Sequence, residues 1–166
     1  NRAEIYGANG KLKLTIPIKH YHEDIRKSDR NVSIAYDQNW QKSHWKSICS
    51  AYRSSPYFEY YESDLYPFFQ KKKTQLFHFN IILIEKLMSL IEHSFDYQVV
   101  QCGNVKFDIL DSLISTKKVI KSEFKTYIQV FKNKYGFIPN LSILDVLFNL
   151  GPDTKKYLKN TKLDLN

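Results

Sequence analysis

The sequence is short of the residues that announce the common chemistries. Five glycines and five prolines among 166 residues leave little room for a phosphate-cradling glycine loop, and neither a dinucleotide fingerprint nor a phosphate-binding loop occurs. The only cysteines, Cys49 and Cys102, give no disulfide framework and cannot make a four-cysteine zinc site. Reduced thiols in a cytoplasmic protein are therefore expected. His20 and His22 fall in a polar stretch, and His44, His78 and His93 stand singly. Without metal-ligand spacing, a nucleophile elbow or a zinc-protease motif, no metal and no cofactor is expected. The longest apolar run, Ile81 to Ile84, is far too short to span a bilayer. Arginine occurs only four times against an excess of lysine, a poor set for bidentate phosphate or base readout. Methionine occurs once, at Met88, and the chain opens on Asn1-Arg2-Ala3, so it reads as a fragment or processed form lacking its natural N-terminus.

What is present is lysine and aromatic carbon. The net charge of +8 is spread over clusters such as Lys71-Lys72-Lys73, Lys117-Lys118 and Lys155-Lys156. It favours phosphate-bearing partners in general, but a solvated lysine surface is the expected role and nucleic acid is not the expected partner. Twelve Tyr and eleven Phe supply a large aromatic component for a core or a cleft. The length suits one domain, 1–166, that can bury a core without staples.

The first third reads as β. Residues 3–6 and 11–18 form a hairpin pattern in which Leu12, Leu14 and Ile16 alternate with Lys11, Lys13 and Thr15. Asn9-Gly10 is the favoured pair for its turn. Residues 19–30 read as a polar loop, and residues 32–36 as a third strand. Helices are expected at 39–54, 64–72, 74–94, 106–115, 122–134, 141–150 and 152–159, with a short strand at 99–102. Pro67 is placed in a first helical turn behind Asp64. The fold class is thus α+β, a small N-terminal hairpin or sheet followed by a mainly helical remainder.

Two helices carry anomalies. On the helix opening at Trp40, Lys42, Lys46 and Ser50 gather on one side, with Trp40, Ile48 and Ala51 on the other. Gln41 and His44 fall inside the apolar arc, where each must find a hydrogen-bond partner or line a cavity. A paired core histidine and a cleft histidine suited to proton transfer both fit. Trp40, one turn from His44, would form an aromatic wall beside the imidazole. The second helix, 141–150, is apolar nearly all round except for Ser142, Asp145 and Asn149. Capping by Asn140 or Ser142, with Asp145 closing a capping box, explains the first two as well as function does. It does not explain Asn149. Seven aromatic residues within 57–69 stack a sugar or, more simply, wedge helices together.

Three blocks make the chain resemble the WbqC-like family, bacterial proteins encoded among genes for O-antigen and other surface polysaccharides. They are NRAEIYGANGKLKLTIPI, YDQNWQKSHWKSICSAYRSSPYFEYYESDLYPFF and FKNKYGFIPNLSILDVLFNLGP. The family's pattern begins upstream of the Asn1-Arg2 seen here, in line with a missing N-terminal portion. The resemblance implies a cytoplasmic transferase of surface-glycan biosynthesis, moving an acyl or aminoacyl (glycyl) group onto a nucleotide-linked sugar or other small molecule. Its motifs gather Trp40, Gln41, His44, Tyr52 and Pro56 in one block, and Gly136, Pro139, Asn140, Ser142, Asp145, Asn149, Gly151 and Pro152 in another. No catalytic assignment comes with these motifs; the polar stripes of the two helices put His44 and Asp145 forward as catalytic residues, with Trp40, Gln41, Asn140, Ser142 and Asn149 binding substrate. The alternative is a non-catalytic accessory protein that binds a nucleotide-sugar or a partner enzyme. A weaker third expectation is a charged transfer RNA as aminoacyl donor.

Overall fold

The computed structural model describes residues 1–19, 31–99 and 122–163. Two strands, β1 (Arg2–Gly7) and β2 (Gly10–Thr15), pair antiparallel with Ile5 opposite Leu12 and Gly7 opposite Gly10. The expected hairpin forms, but its turn is Ala8-Asn9, one residue earlier than expected. Neither of these two residues takes a positive φ, whereas Gly10 does, at 93°. A turn of two right-handed residues relieved by a left-handed glycine is the three-residue alternative to the Asn-Gly turn. Ile5, Tyr6 and Leu14 are buried, while Leu12 lies out at the turn end.

The expected third strand contracts to two isolated bridges, Ile18 to Ile34 and Ser33 to Gln75. Backbone bonds from Ala35 N–H to Pro17 and from Leu76 N–H to Val32 stitch this segment between the hairpin's exit and the next long helix.

Helix α1 (Trp40–Tyr52) follows, burying Trp40, Gln41, Ile48, Ala51 and Tyr52. Next come α2 (Phe58–Leu65) and the short α3 (Pro67–Gln70). The single helix expected at 64–72 is thus replaced by two, the longer of which begins at Phe58 and contains Asp64. Pro67 has no N–H to continue the ladder, so α2 ends and α3 starts on it. Phe58, Tyr61 and Leu65 bury one face of α2, and Lys86 Nζ bonds Asp64 at 2.7 Å to tie α2 to α4 (Leu76–Leu90). Just past the end of helix α4, Glu92 takes a φ of 53° and turns the chain. His93 N–H then donates to the Met88 carbonyl and Glu92 N–H to Ser89, a paired C-terminal cap.

Residues 122–134 do not form the expected helix. A two-residue strand β3 (Ser122–Glu123) pairs with β4 (Lys162–Leu163), residues 124–129 are non-helical, and only α5 (Lys132–Tyr135) is helical. Helix α6 (Ile143–Leu150) leads through a 3-10 turn at Gly151–Asp153 into α7 (Thr154–Asn160). Gly151 has a φ of 53°, and a Cβ there would lie 2.5 Å from the Tyr57 ring, so both backbone and packing require glycine. Most of the expected strand at 99–102, the helix at 106–115 and most of the loop at 19–30 lie outside the described residues, as do His20, His22 and Cys102.

The core joins β1 and β2 to α1, α2, α4 and α6 through Ile5, Ile48, Tyr52, Phe58, Leu147 and Phe148. A smaller cluster of Ile34, Trp40 and Phe79 closes the start of α1 against α4.

Candidate functional site

A cavity of about 240 Å³ opens between the hairpin and five helices, α2 and α3 contributing one residue each, Leu65 and Phe69. Helix α1 supplies Trp40, His44, Trp45 and Ile48 to its wall; β2 supplies Leu14. Helix α4 adds Phe79, Asn80, Leu83 and Leu87, and α6 adds Leu144 and Phe148 behind Ser142. The helices opening at Trp40 and Ile143 therefore face one cavity. They do so mainly with carbon, because one turn of α1 separates Trp40 from His44 and one turn of α6 separates Leu144 from Phe148.

His44 is half-buried. Its pKa is lowered, first by desolvation of the charged ring, with the Thr15 backbone carbonyl pulling the other way. The imidazole is thus neutral at neutral pH and able to accept a proton. The Trp40 ring lies 5.1 Å from it, edge-on, and Phe79 also meets Trp40 edge-on, at 6.2 Å. Trp40 Nε1 is buried and finds no oxygen or nitrogen partner among the described residues. Two edge-on rings pack against the indole and hold it in place as a wall.

Gln41 does not line the cavity. Its Nε2 donates to the carbonyls of Phe68 and Lys71 at 3.3 and 3.1 Å, so it binds the carbonyl end of α3 to the start of α1 and satisfies groups the short helix leaves open. Ser142 lines the cavity and is the N-cap of α6. Its Oγ accepts from Leu144 N–H at 3.4 Å, and its own N–H donates to the Glu4 carbonyl at 2.7 Å. The expected capping box does not close, because the Asp145 side chain turns elsewhere.

Asp145 is fully buried in a second polar cluster that does not reach the first cavity. Tyr127 OH donates to its Oδ2 at 2.5 Å and Gln129 Nε2 at 2.8 Å, while Oδ1 has no partner of hydrogen-bonding geometry among the described residues. Desolvation raises the pKa of this carboxyl, and the bonds from Tyr127 and Gln129, with Tyr52 nearby, partly offset it. The same burial, then the carboxylate, pushes the Tyr127 and Tyr52 phenols well above their ordinary value. Gln129 also holds both the N–H and the carbonyl of Ile138, each at 2.9 Å. Tyr52 OH accepts from Tyr6 N–H at 3.1 Å, and Tyr6 OH donates to the Gly136 carbonyl at 2.8 Å. One carboxyl group thus sits at the centre of a tie joining β1, α1, residues 127–138 and α6.

Asn149, unexplained by capping, donates its Nδ2 to the Asp145 carbonyl at 2.7 Å. Asn140 takes a φ of 55° and lines a different cavity, also about 240 Å³, beside Tyr127 and Tyr157. Of the seven site residues expected from sequence, the first cavity gathers Trp40, His44 and Ser142. Asp145 and Asn149 lie together behind it, and Gln41 and Asn140 lie apart from both groups.

Tyr127 and Gln129 were not among the expected residues, nor were Asn80 and Arg2, which line the first cavity. The available signal is a period of two: Lys125, Tyr127 and Gln129 alternate with Thr126, Ile128 and Val130. Residues two apart share a side only where the chain is not helical. Among the described residues no group of His, Cys, Asp or Glu is arranged to hold a metal ion, and no helix is long and apolar enough to cross a membrane.

The sequence model of the WbqC-like protein family matches residues 1–113 and 108–157. No curated protein and no solved structure matches. The chain belongs to the WbqC-like family.

Proposed function

We propose that this member of the WbqC-like family is a cytoplasmic transferase of surface-glycan biosynthesis, moving an acyl or aminoacyl group onto a nucleotide-linked sugar. The observation that carries the proposal is His44, a half-buried imidazole on a cavity wall whose surroundings hold it neutral. As the acceptor's amine or hydroxyl attacks the carbonyl carbon of an activated acyl ester, His44 takes the acceptor's proton. The ester C–O bond breaks, its electron pair leaves on oxygen, and His44 returns the proton to that oxygen. A positioned base of this kind is worth about 10²–10⁴-fold in rate. Trp40 forms the wall beside the reacting group, and Ser142 and Asn80 are within the lining to accept or donate hydrogen bonds. Asp145 is a positioning residue here: it holds α6, and so Ser142 and Leu144, against the cavity. Asn149 and Gln41 support the two helices in the same way, and Asn140 contacts the sugar portion only if that portion extends to the second cavity.

The test is incubation with nucleotide-linked amino sugars and a panel of activated acyl and aminoacyl esters, followed by mass spectrometry of the sugar. Transfer should occur with one donor class and drop by at least about 10²-fold in His44→Ala. Transfer at an unchanged rate in that variant removes His44 from the mechanism.

A non-catalytic accessory role is favoured by a different observation. Tyr60 is 73% exposed and Tyr66 39% exposed, although Phe58 and Tyr61 between and beside them are buried. Such a role predicts saturable binding of a nucleotide-sugar with no product, weakened by Tyr60→Ala.

A further inference from the structure

We infer that the group taken into the His44 cavity is the hydrocarbon chain of an acyl group several carbons long, and not a glycyl group. The inference deepens the transferase proposal and rests on it for the identity of the ligand as an acyl group. The walls carry it. Most of the lining is carbon, Leu14, Ile48, Leu83, Leu87, Leu144 and Phe148 among it. Among the described lining residues none is acidic, so the ammonium of an aminoacyl group would be desolvated there without a counter-charge, which is costly. A methylene chain meets the opposite balance, since each carbon leaves water for contact with other carbon. The cavity is about 240 Å³; an apolar cavity of about 150 Å³ holds the six carbons of benzene, so a chain of about six to eight carbons has room here. Asn1, Arg2, His44, Asn80 and Ser142 are the polar lining residues able to hold the carbonyl end. A preformed apolar cleft with a few convergent polar groups is the usual form of a small-molecule site.

The chain's two tryptophans, Trp40 and Trp45, both line this cavity, so indole fluorescence reads its occupancy directly. The probes are acetate, butanoate, hexanoate, octanoate and glycine, titrated into the 166-residue chain. Affinity should rise about fourfold per added methylene, the equivalent of about 0.8 kcal/mol, and level off near hexanoate or octanoate. Glycine should give no saturable change. Leu83→Phe and Leu144→Phe each narrow the cavity and should bring the levelling to a shorter chain, with circular dichroism confirming the fold of whichever variant is read. A flat series, glycine binding as tightly as hexanoate, or an unchanged series in both folded variants would falsify the inference. The two proposals fail separately. A flat series together with His44-dependent glycyl transfer overturns the chain and keeps the transferase. A steep series with no transfer from any donor keeps the chain in the cavity and overturns the transferase.

Discussion

The His44 cavity and the Asp145 cluster are built from the same sequence device, a polar side chain inside the apolar arc of a helix, and they come out as opposites. His44 faces open space and is half-buried, with a backbone carbonyl nearby. Asp145 is fully buried, and two side chains from residues 127–129 converge on one of its oxygens. Desolvation acts on both and moves their pKa values in opposite directions, because it disfavours the charged form of each. A neutral base at a cavity is chemically available. A carboxyl at the centre of four chain segments is bound into the scaffold. Polarity in an apolar arc therefore marks a residue that needs an explanation, and the partners decide which one.

The comparison makes its strongest claim about catalysis against stability. His44→Ala should lower transfer by about 10²–10⁴-fold while changing stability by less than about 1 kcal/mol. A melting curve beside the transfer assay reads both. If the variant unfolds instead, His44 belongs with Asp145 as a tie.

Asp145→Ala should do the reverse. It leaves the Tyr127 hydroxyl and a Gln129 N–H buried without their acceptor, at about 1–3 kcal/mol each. A total near 3 kcal/mol would lower the melting midpoint of a chain this size by roughly 6–12 °C. A midpoint within a degree of wild type would show that the cluster contributes nothing net.

The pH dependence sharpens the contrast further. Because burial raises the folded carboxyl's pKa, Asp145 contributes stability fully present below the unfolded pKa and lost as pH rises through the folded one. Asp145→Asn, which keeps an acceptor oxygen for Tyr127 and Gln129, should gain on wild type as pH rises through that window. His44 acts oppositely: its folded pKa is depressed, so its contribution is present above the unfolded imidazole's value and falls away as pH drops through the folded one. Proton NMR should place the His44 midpoint below that of a free imidazole. A His44 midpoint at or above that value would contradict the desolvated cavity wall.

The smallest effect expected is at Gln41. Gln41→Ala removes two bonds to carbonyls at the end of α3 and should cost about 1 kcal/mol, typical of a partly buried side-chain bond. Chain-length dependence in the cavity should be untouched, which places Gln41 with the scaffold. A loss of ligand affinity larger than the loss of stability would move it into the site.

Much of the architecture was legible because it follows from local pattern. The hairpin, the amphipathic helix at Trp40 and the stop at Gly151-Pro152 rest on alternation, helical periodicity and backbone freedom, all carried by neighbouring residues. Helix α2 was missed because its aromatic residues mask the periodicity, and Pro67 marks a second start as readily as a first one. Residues 122–134 went wrong for a different reason. Their composition suits a helix, but the chain is held non-helical where Tyr127 and Gln129 serve a carboxyl 16 to 18 positions away. Tertiary partners there override local propensity.

The site divides along the same line. From sequence alone, Gln41, His44, Asp145 and Asn149 could be named as polar groups that fold onto apolar faces, because helical spacing fixes direction within one element. Helical spacing does not fix what stands opposite. Only the packing of α1 and α6 against the hairpin and α4 put His44, Trp40 and Ser142 on one cavity and left Asp145 behind it. The orientation of one helix about its neighbour is set by the shapes of side chains distant in sequence, and those meet only once the chain is folded.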